Sequence, residues 1–162
     1  MENKTRCAWC EKDDLYRNYH DNEWGKPVYD DETIFEFLIL ETFQAGLSWY
    51  TVLAKRENFR KAFDNFDLMK IANYSEDKMD ALAEDAGIIR NKLKIKATVT
   101  NAQAFIKVQE EFGTFSKYIW GFVDGKPIDN KPKTLNEVKA TTPISDALSK
   151  DLKKRGFKFV GS

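Results

Sequence analysis

The 162-residue sequence predicts an all-α protein, a compact bundle of short helices. Residues that favour helix N-termini recur ahead of apolar runs, and glycines follow many of these runs. Within the runs, apolar residues repeat every three to four positions, as on one face of a helix. No segment shows the two-residue alternation that indicates a strand. The length suits a single domain, which we expect to span residues 1–162.

The elements follow from these signals in chain order. An acidic start at residues 30–32 precedes IFEFLILETFQA, a helix that Gly46 can end. Ser48 can cap the next helix, and Asp67 can begin a short one. The apolar stripe of the helix after Ser48 comprises Trp49, Leu53, Phe59 and Phe63.

Two further helices are predicted around a short turn at about residues 76–111. Ser75 caps the first, EDKMDALAEDA, which Gly87 stops, and Asn91 caps a long second helix that Gly113 ends.

The last third of the chain alternates helix and loop. Ser116 begins a short helix, residues 124–133 read as a surface loop, and Thr142-Pro143 begins the last helix.

Charge and composition restrict the classes of partner and compartment. Residues 1–50 hold 5 Lys/Arg and 11 Asp/Glu, and the remainder holds 21 and 15, so a neutral chain has a basic C-terminal part. That asymmetry fits either an anionic partner or solvated helix faces. No apolar run reaches the roughly 20 residues of a membrane span, and MENKTRCAWC lacks a signal-peptide core. We expect a cytoplasmic protein without a membrane partner.

Glu41 stands within FLILETFQAGLSW, residues 37–49, where most neighbours are apolar. An ionised carboxylate there is costly unless it is paired or hydrogen-bonded. It either bonds to a neighbouring loop or lines an aromatic pocket for a cationic or amino-bearing ligand. Tyr16, Tyr19, Trp24 and Trp49 could build such a pocket, because aromatic faces attract cations and stack on bases. Core packing is the alternative for any single ring, and the combination with Glu41 favours the pocket.

The segment LAEDAGIIRNKLKIKA, residues 82–97, reads as helix, glycine break and helix. A turn of this kind can present backbone N–H groups to a phosphate, and Ile88 and Ile89 would anchor it in the core. Positive charge would come from Arg90, Lys92, Lys94 and Lys96. Taken alone, an ordinary helix pair with a solvated basic face explains the segment better.

Cys7, Cys10 and His20 form C-x2-C-x9-H, and His20 is the only histidine. These are zinc ligand types, but a closed structural zinc site usually has four ligands. A buried thiol pair beside a hydrogen-bonded histidine is the competing interpretation. The chain carries no serine-hydrolase, P-loop or dinucleotide motif.

Five strings together resemble the family of 3-methyladenine DNA glycosylase I, bacterial base-excision repair enzymes. They are RCAWC, DLYRNYHDNEWGKP, ETFQAGLSWYTVLAKRENFR, DAGIIRNKLKI and SDALSKDLKKRGFKFVG. The resemblance runs from about Arg6 to Gly161, and YHDNEWG with QAGLSW is its most specific part. It implies a helix-hairpin-helix DNA glycosylase fold, with residues 82–97 as the hairpin that grips the DNA backbone.

The resemblance also implies roles for individual residues. Glu41 would be the catalytic carboxylate that recognises the flipped base. The base-binding rings would be Tyr16, Tyr19, Trp49, Trp24 and Trp9. The DNA-binding residues would be Gly46, Leu47, Gly87, Ile88, Arg90 and Lys92, with Gly46 and Leu47 in the loop that enters the duplex.

Zinc is the expected structural cofactor of the family. Cys7 and His20 match two of its ligands, with Cys10 as a conceivable substitute for another. The remaining two ligands, a His and a Cys, belong to a C-terminal segment that these 162 residues do not contain.

The expected function is hydrolysis of the N-glycosidic bond of 3-methyladenine in double-stranded alkylated DNA by a monomer. Strand cleavage is not expected, because no lysine lies in the pocket motifs. A non-catalytic DNA-lesion binder, given the missing C-terminal segment, and a zinc or thiol sensor built on Cys7, Cys10 and His20 are the alternatives.

Overall fold

The computed structural model describes residues 4–162, and this part of the chain forms nine α-helices and no β-strand. The all-α prediction is therefore confirmed. The helices are α1 (Asp14–Asn22), α2 (Asp31–Gln44), α3 (Trp49–Ala54), α4 (Arg56–Ala62), α5 (Leu68–Ala72), α6 (Glu76–Ala83), α7 (Lys92–Phe112), α8 (Phe115–Trp120) and α9 (Pro143–Lys154). Residues 1–3 of the predicted domain lie outside the described residues.

The predicted N-caps are formed as expected. The side chains of the capping residues accept hydrogen bonds from backbone N–H groups of the first turn, which otherwise lack partners. These caps are Asp30, Ser48, Asp67, Ser75, Asn91 and Thr142. Thr142 and Ser145 bond reciprocally, and Pro143 follows as the first helical residue.

Four boundaries differ from the prediction. The helix after Ser48 breaks at Lys55 into α3 and α4. Helix α6 ends at Ala83, before Gly87. The cap of α8 is Thr114 rather than Ser116, and the loop after α8 runs to residue 142 with only short 3-10 turns.

Helix α1 has no counterpart among the predicted elements. Asp13 caps it, and its side chain accepts from the backbone N–H of Tyr16 at 2.9 Å. None of its residues is fully buried, so it lies on the surface of the bundle without a long apolar stripe.

The core is built around α2 and α7 and is dominated by phenylalanine. Helix α7 contacts α2, α5, α6 and α8. The largest fully buried side chains are Phe35, Phe43, Phe59, Phe63, Phe105, Phe115, Phe157, Ile39, Leu40, Leu53, Ile71 and Ile95. Six of the fourteen residues of α2 are buried, two of them in its last turn, which also carries Glu41. No helix within residues 4–162 is both long and apolar enough to cross a membrane.

Candidate functional site

Helix α1 carries two of the predicted rings, Tyr16 and Tyr19, and is tied to α3. The Asp13 carboxylate that caps α1 also accepts a short hydrogen bond from the Tyr50 hydroxyl. This bond and the cap hold the pKa of Asp13 below its usual value. The link sets α1 against the segment that carries Trp49.

The five rings predicted to bind the base form one connected cluster. The ring centroids of Trp9 and Tyr16 are 4.9 Å apart, those of Trp9 and Trp24 are 5.2 Å apart, and those of Tyr19 and Trp49 are 5.7 Å apart. All five rings are partly or largely open to solvent rather than sealed in the core. Such a surface suits a stacking ligand.

Two further rings belong to the cluster and were not predicted. Phe37 stacks on Trp49 with centroids 6.5 Å apart, and Tyr50 lies 5.2 Å from Tyr16. Phe37 precedes Glu41 by one helical turn, so the i, i+4 relation could have revealed it. Nothing in the spacing of Tyr50 distinguishes it from a core residue.

Glu41 opens onto a cavity of about 360 Å³ that three rings of the cluster line. Tyr19, Trp24 and Phe37 contribute to its wall together with Glu41. A second cavity, of about 430 Å³, lies between Glu41 and residues 145–162. The carboxylate therefore stands between two clefts at the end of α2.

The Glu41 side chain is accessible to water and yet partly desolvated. The Glu41 side chain is exposed at the surface. Protein atoms around the cleft nevertheless displace part of its hydration, and this partial burial raises the pKa of the Glu41 carboxyl group. Residues 5–162 form no hydrogen bond or ion pair with it. The carboxylate is thus not bonded to a neighbouring loop, which was the alternative explanation for a glutamate here.

Tyr19 adds a hydroxyl to the wall of this cavity, and its ring contacts that of Trp49. Burial, followed by the negative charge of Glu41, raises the pKa of Tyr19 to about 12. The buried Nε1–H of Trp49 approaches the Tyr19 hydroxyl without a well-formed bond, and it has no partner among residues 4–162. The cavity therefore offers a carboxylate acceptor and a tyrosine hydroxyl.

The loop between α2 and α3 carries Gly46 and Leu47. Gly46 has φ +77°, a left-handed conformation that glycine adopts without strain. The backbone N–H of Leu47 donates to the Gln44 carbonyl at 2.7 Å, and the Gln44 side-chain amide donates to the Leu47 carbonyl at 2.7 Å. Leu47 is 38% exposed, so an apolar group projects from a hydrogen-bonded loop that follows α2.

The predicted hairpin lies between α6 and α7. Arg90 and Lys92 are exposed, as phosphate contacts require, whereas Ile88 is buried and can meet DNA only through its backbone. The N–H of Gly87, expected to face a phosphate, donates to the Asp85 carboxylate at 2.8 Å instead. A Cβ at Gly87 would lie 3.0 Å from that carboxylate, so the turn needs glycine for space.

Lys94 does not supply charge to a phosphate surface, contrary to the prediction. It is 6% exposed, and its Nζ donates to the carbonyls of Phe43 at 2.8 Å and Ala45 at 2.6 Å. Burial lowers its pKa. Lys96, two residues later, is exposed as expected.

Comparison with known proteins assigns the family. The model of the family described as methyladenine glycosylase matches residues 9–162. The chain belongs to the methyladenine glycosylase family. This confirms the family predicted from the sequence strings.

Relatives of the methyladenine glycosylase family match almost the whole chain. DNA-3-methyladenine glycosylase 1 of Escherichia coli K12 is 49% identical over 97% of this chain and 84% of its own length. A crystal structure of 3-methyladenine DNA glycosylase I has a TM-score of 0.94 at 48% identity, with 97% of this chain and 86% of that chain covered. A variant of such an enzyme in complex with 3-methyladenine has a TM-score of 0.93 at 39% identity, covering 98% and 85%.

The residues around Cys7 and His20 only partly suit the zinc ion expected for a methyladenine glycosylase. The backbone N–H of Cys7 points to His20 Nε2 at 3.4 Å, and His20 Nδ1 lies 3.0 Å from the Asp21 carboxylate. Cys10 is buried, its thiol donates to the Cys7 carbonyl at 3.1 Å, and burial raises its pKa. Within residues 4–162, no three His, Cys, Asp or Glu side chains are arranged to hold a metal. The donors in this part of the chain do not complete a four-ligand zinc site.

Proposed function

We propose that this protein hydrolyses the N-glycosidic bond of 3-methyladenine in alkylated double-stranded DNA and leaves the strand intact. The observation that carries the proposal is the carboxylate of Glu41, which residues 5–162 leave without a hydrogen bond or ion pair, at a ring-lined cavity of about 360 Å³. Cavities of about 300 Å³ and above are typical of small-molecule sites. The names of the relatives support 3-methyladenine as the base.

The chemistry of the substrate suits this cavity. Methylation at N3 gives the adenine a positive charge and weakens its bond to the sugar, so the leaving base needs little protonation. Electron-rich Tyr and Trp faces favour a cationic base over neutral adenine. Glu41 can accept hydrogen bonds from the amino edge of the base, and its charge favours the cation. Water then completes the hydrolysis at the sugar.

The base must leave the helix before it can enter the cavity. Flipping costs a few kcal/mol, and less for a damaged base. Leu47 is suited to fill the vacated space, as apolar wedges do in other DNA-distorting proteins. Arg90 and Lys92 would hold the phosphates of one strand during this step.

We propose hydrolysis without strand cleavage, because cleavage of the strand would require a lysine amine that attacks the sugar. Lys94 is buried and hydrogen-bonded, so its amine is not available. Lys26 is exposed and lines the Glu41 cavity, so it is the lysine whose attack on the sugar has to be tested. If borohydride traps a covalent DNA complex that Lys26→Ala abolishes, strand cleavage through Lys26 replaces this part of the proposal.

The decisive assay measures release of free 3-methyladenine from methylated duplex DNA by chromatography. The wild-type protein should release the base and leave the strand unnicked at neutral pH. Tight binding of the methylated duplex with no released base would instead support a non-catalytic lesion binder.

The remaining expectations form part of the same proposal. A monomer of 18.8 kDa is expected, because one chain supplies the cavity, the loop and the hairpin. A DNA substrate makes the cytoplasm the expected location, since the relatives come from bacteria. Zinc at Cys7 and His20 stays a prediction, and no proposed step uses it. Metal analysis of the purified protein tests it and also the sensor alternative.

A further inference from the structure

A buried lysine joins the two elements that are proposed to handle DNA. Lys94 lies in the first turn of α7, next to the Asn91 cap of the hairpin, and its own backbone N–H donates to the Asn91 side chain at 3.1 Å. Its Nζ reaches across to the carbonyls of Phe43 and Ala45, at the end of α2. Ala45 is followed directly by Gly46 and Leu47 in the chain.

These two bonds are stronger than ordinary surface contacts. The last carbonyls of a helix have no partner within that helix, and a cation is favoured there by the helix dipole. Bonds from an ammonium group to carbonyl oxygens are charge-assisted, and they compensate the cost of burying Lys94. The end of α2 is therefore fixed to the hairpin by a directional contact.

Gln44, at the end of α2, holds the loop that follows it. Its backbone carbonyl and its side-chain amide bond both main-chain groups of Leu47. The carbonyls on either side of Gln44 are the ones that Lys94 holds. Leu47 is consequently placed relative to the hairpin through one continuous set of bonds.

We propose that Lys94 is a positioning residue that couples grip of the DNA backbone by the hairpin to insertion of Leu47 into the duplex. The proposal rests on the proposed function of the Glu41 site and deepens it. Apolar filling at this junction does not require an ammonium group, because a methionine of similar length could occupy the same space. The charge and its directed bonds are what orient the loop.

The test separates loop insertion from base binding. Lys94→Met removes the donors, and Lys107→Met makes the same change at an exposed position of the same helix as a control. Gln44→Ala removes the side-chain bond to the Leu47 carbonyl and is a second variant should Lys94→Met fail to fold. Insertion is followed by 2-aminopurine fluorescence beside a tetrahydrofuran abasic analogue in a duplex. Base binding is followed by quenching of tryptophan fluorescence by free 3-methyladenine.

Lys94→Met and Gln44→Ala should each lose insertion and slow base release at saturating methylated duplex by about tenfold or more, because small misplacements of a positioned group are costly. Binding of free 3-methyladenine should stay within about twofold of the wild type, as should every property of Lys107→Met. A parallel loss of free-base binding in Lys94→Met would show a merely structural role and overturn the proposal, as would unchanged insertion.

Failure of the proposed function gives a different pattern. A wild-type protein that inserts Leu47 into the abasic duplex but releases no 3-methyladenine would contradict the proposed function. The coupling would still be decided by comparing insertion by the wild type with insertion by Lys94→Met. A wild-type protein that does not insert at all overturns the coupling.

Discussion

Glu41 combines access to water with a lack of hydrogen-bond donors from residues 5–162. A carboxylate in this position keeps part of its hydration but has no fixed partner to stabilise its charge. Such a group is costly to the fold and is available to a ligand. A cationic base with an amino edge would supply the positive charge and the hydrogen-bond donors that residues 5–162 do not provide to Glu41.

Replacing Glu41 by Gln should therefore stabilise the folded protein near neutral pH. Burial raises the folded-state pKa above the ordinary 4.5, so the stability from this group is present below that value and is lost as the pH rises through the raised pKa. Solvent access limits the gain at about pH 7 to about 1–2 °C in unfolding temperature. Thermal unfolding at about pH 4 should show a smaller difference, and an equal difference at both pH values would count against this account.

The pH dependence of base release should report the same carboxylate. Because Glu41 must be ionised to favour a cationic base, the rate should fall on the acid side with an apparent pKa above 4.5. Rates of 3-methyladenine release across the acid range provide the measurement, with the residual rate of Glu41→Gln as the control. An acid limb of the same shape in that variant would assign it to another group.

At the scale of the helices, local signals could be predicted from the sequence, whereas tertiary contacts could not. Caps such as Ser75 and Asn91 act within three residues, so the sequence alone located α6 and the start of α7. Helix α1 was missed because it packs few apolar groups, and its position depends on the bond between Asp13 and Tyr50, 37 residues apart. The sequence therefore predicted which rings matter but not how α1 brings them to Trp49.

The burial of Lys94 also could not be predicted from the number of charged residues in the segment. Lys94 begins a face of α7 on which Thr98 and Asn101 are also buried and hydrogen-bonded. A polar face is normally solvated, but the end of α2 and the backbone at Lys158 lie against this one and make it a contact surface.

At the turn of the hairpin, Gly87→Ala should destabilise the protein by about 1–3 kcal/mol, because the added methyl group meets the Asp85 carboxylate and Asn58. Gly121→Ala is the matched control, since a Cβ there has no neighbour within 4 Å. Urea unfolding of both variants measures the difference. Equal stability of the two would mean that the turn relaxes at no cost.

The exposed cations of the hairpin should contribute to the salt dependence of DNA binding. Lys92→Ala should reduce the slope of log affinity against log salt by about 1, whereas Lys107→Ala should leave it unchanged. The dissociation constant for an unmethylated duplex at several salt concentrations tests this. An unchanged slope in Lys92→Ala would remove Lys92 from the DNA interface.

Over the whole molecule, two ion pairs join the acidic N-terminal part to the basic remainder. Glu23 pairs with Arg56 at 2.6 Å, and Glu36 pairs with Arg60 at 2.6 Å. Further acids are used in caps, and Asp31 accepts the N–H groups of Phe115 and Ser116. Part of the charge asymmetry of the sequence is therefore used in contacts within the bundle, and these contacts could not be identified without the fold.

The cavity at Glu41 joins these scales, because Glu41 in α2, Tyr19 in α1 and Trp24 meet only in the folded chain. Its role is tested most directly by the single-turnover rate of 3-methyladenine release from methylated duplex DNA for the wild type and Glu41→Gln. The account predicts that the variant is slower by about 100-fold or more while it binds unmethylated duplex like the wild type. A variant that releases the base within about twofold of the wild-type rate would contradict the account.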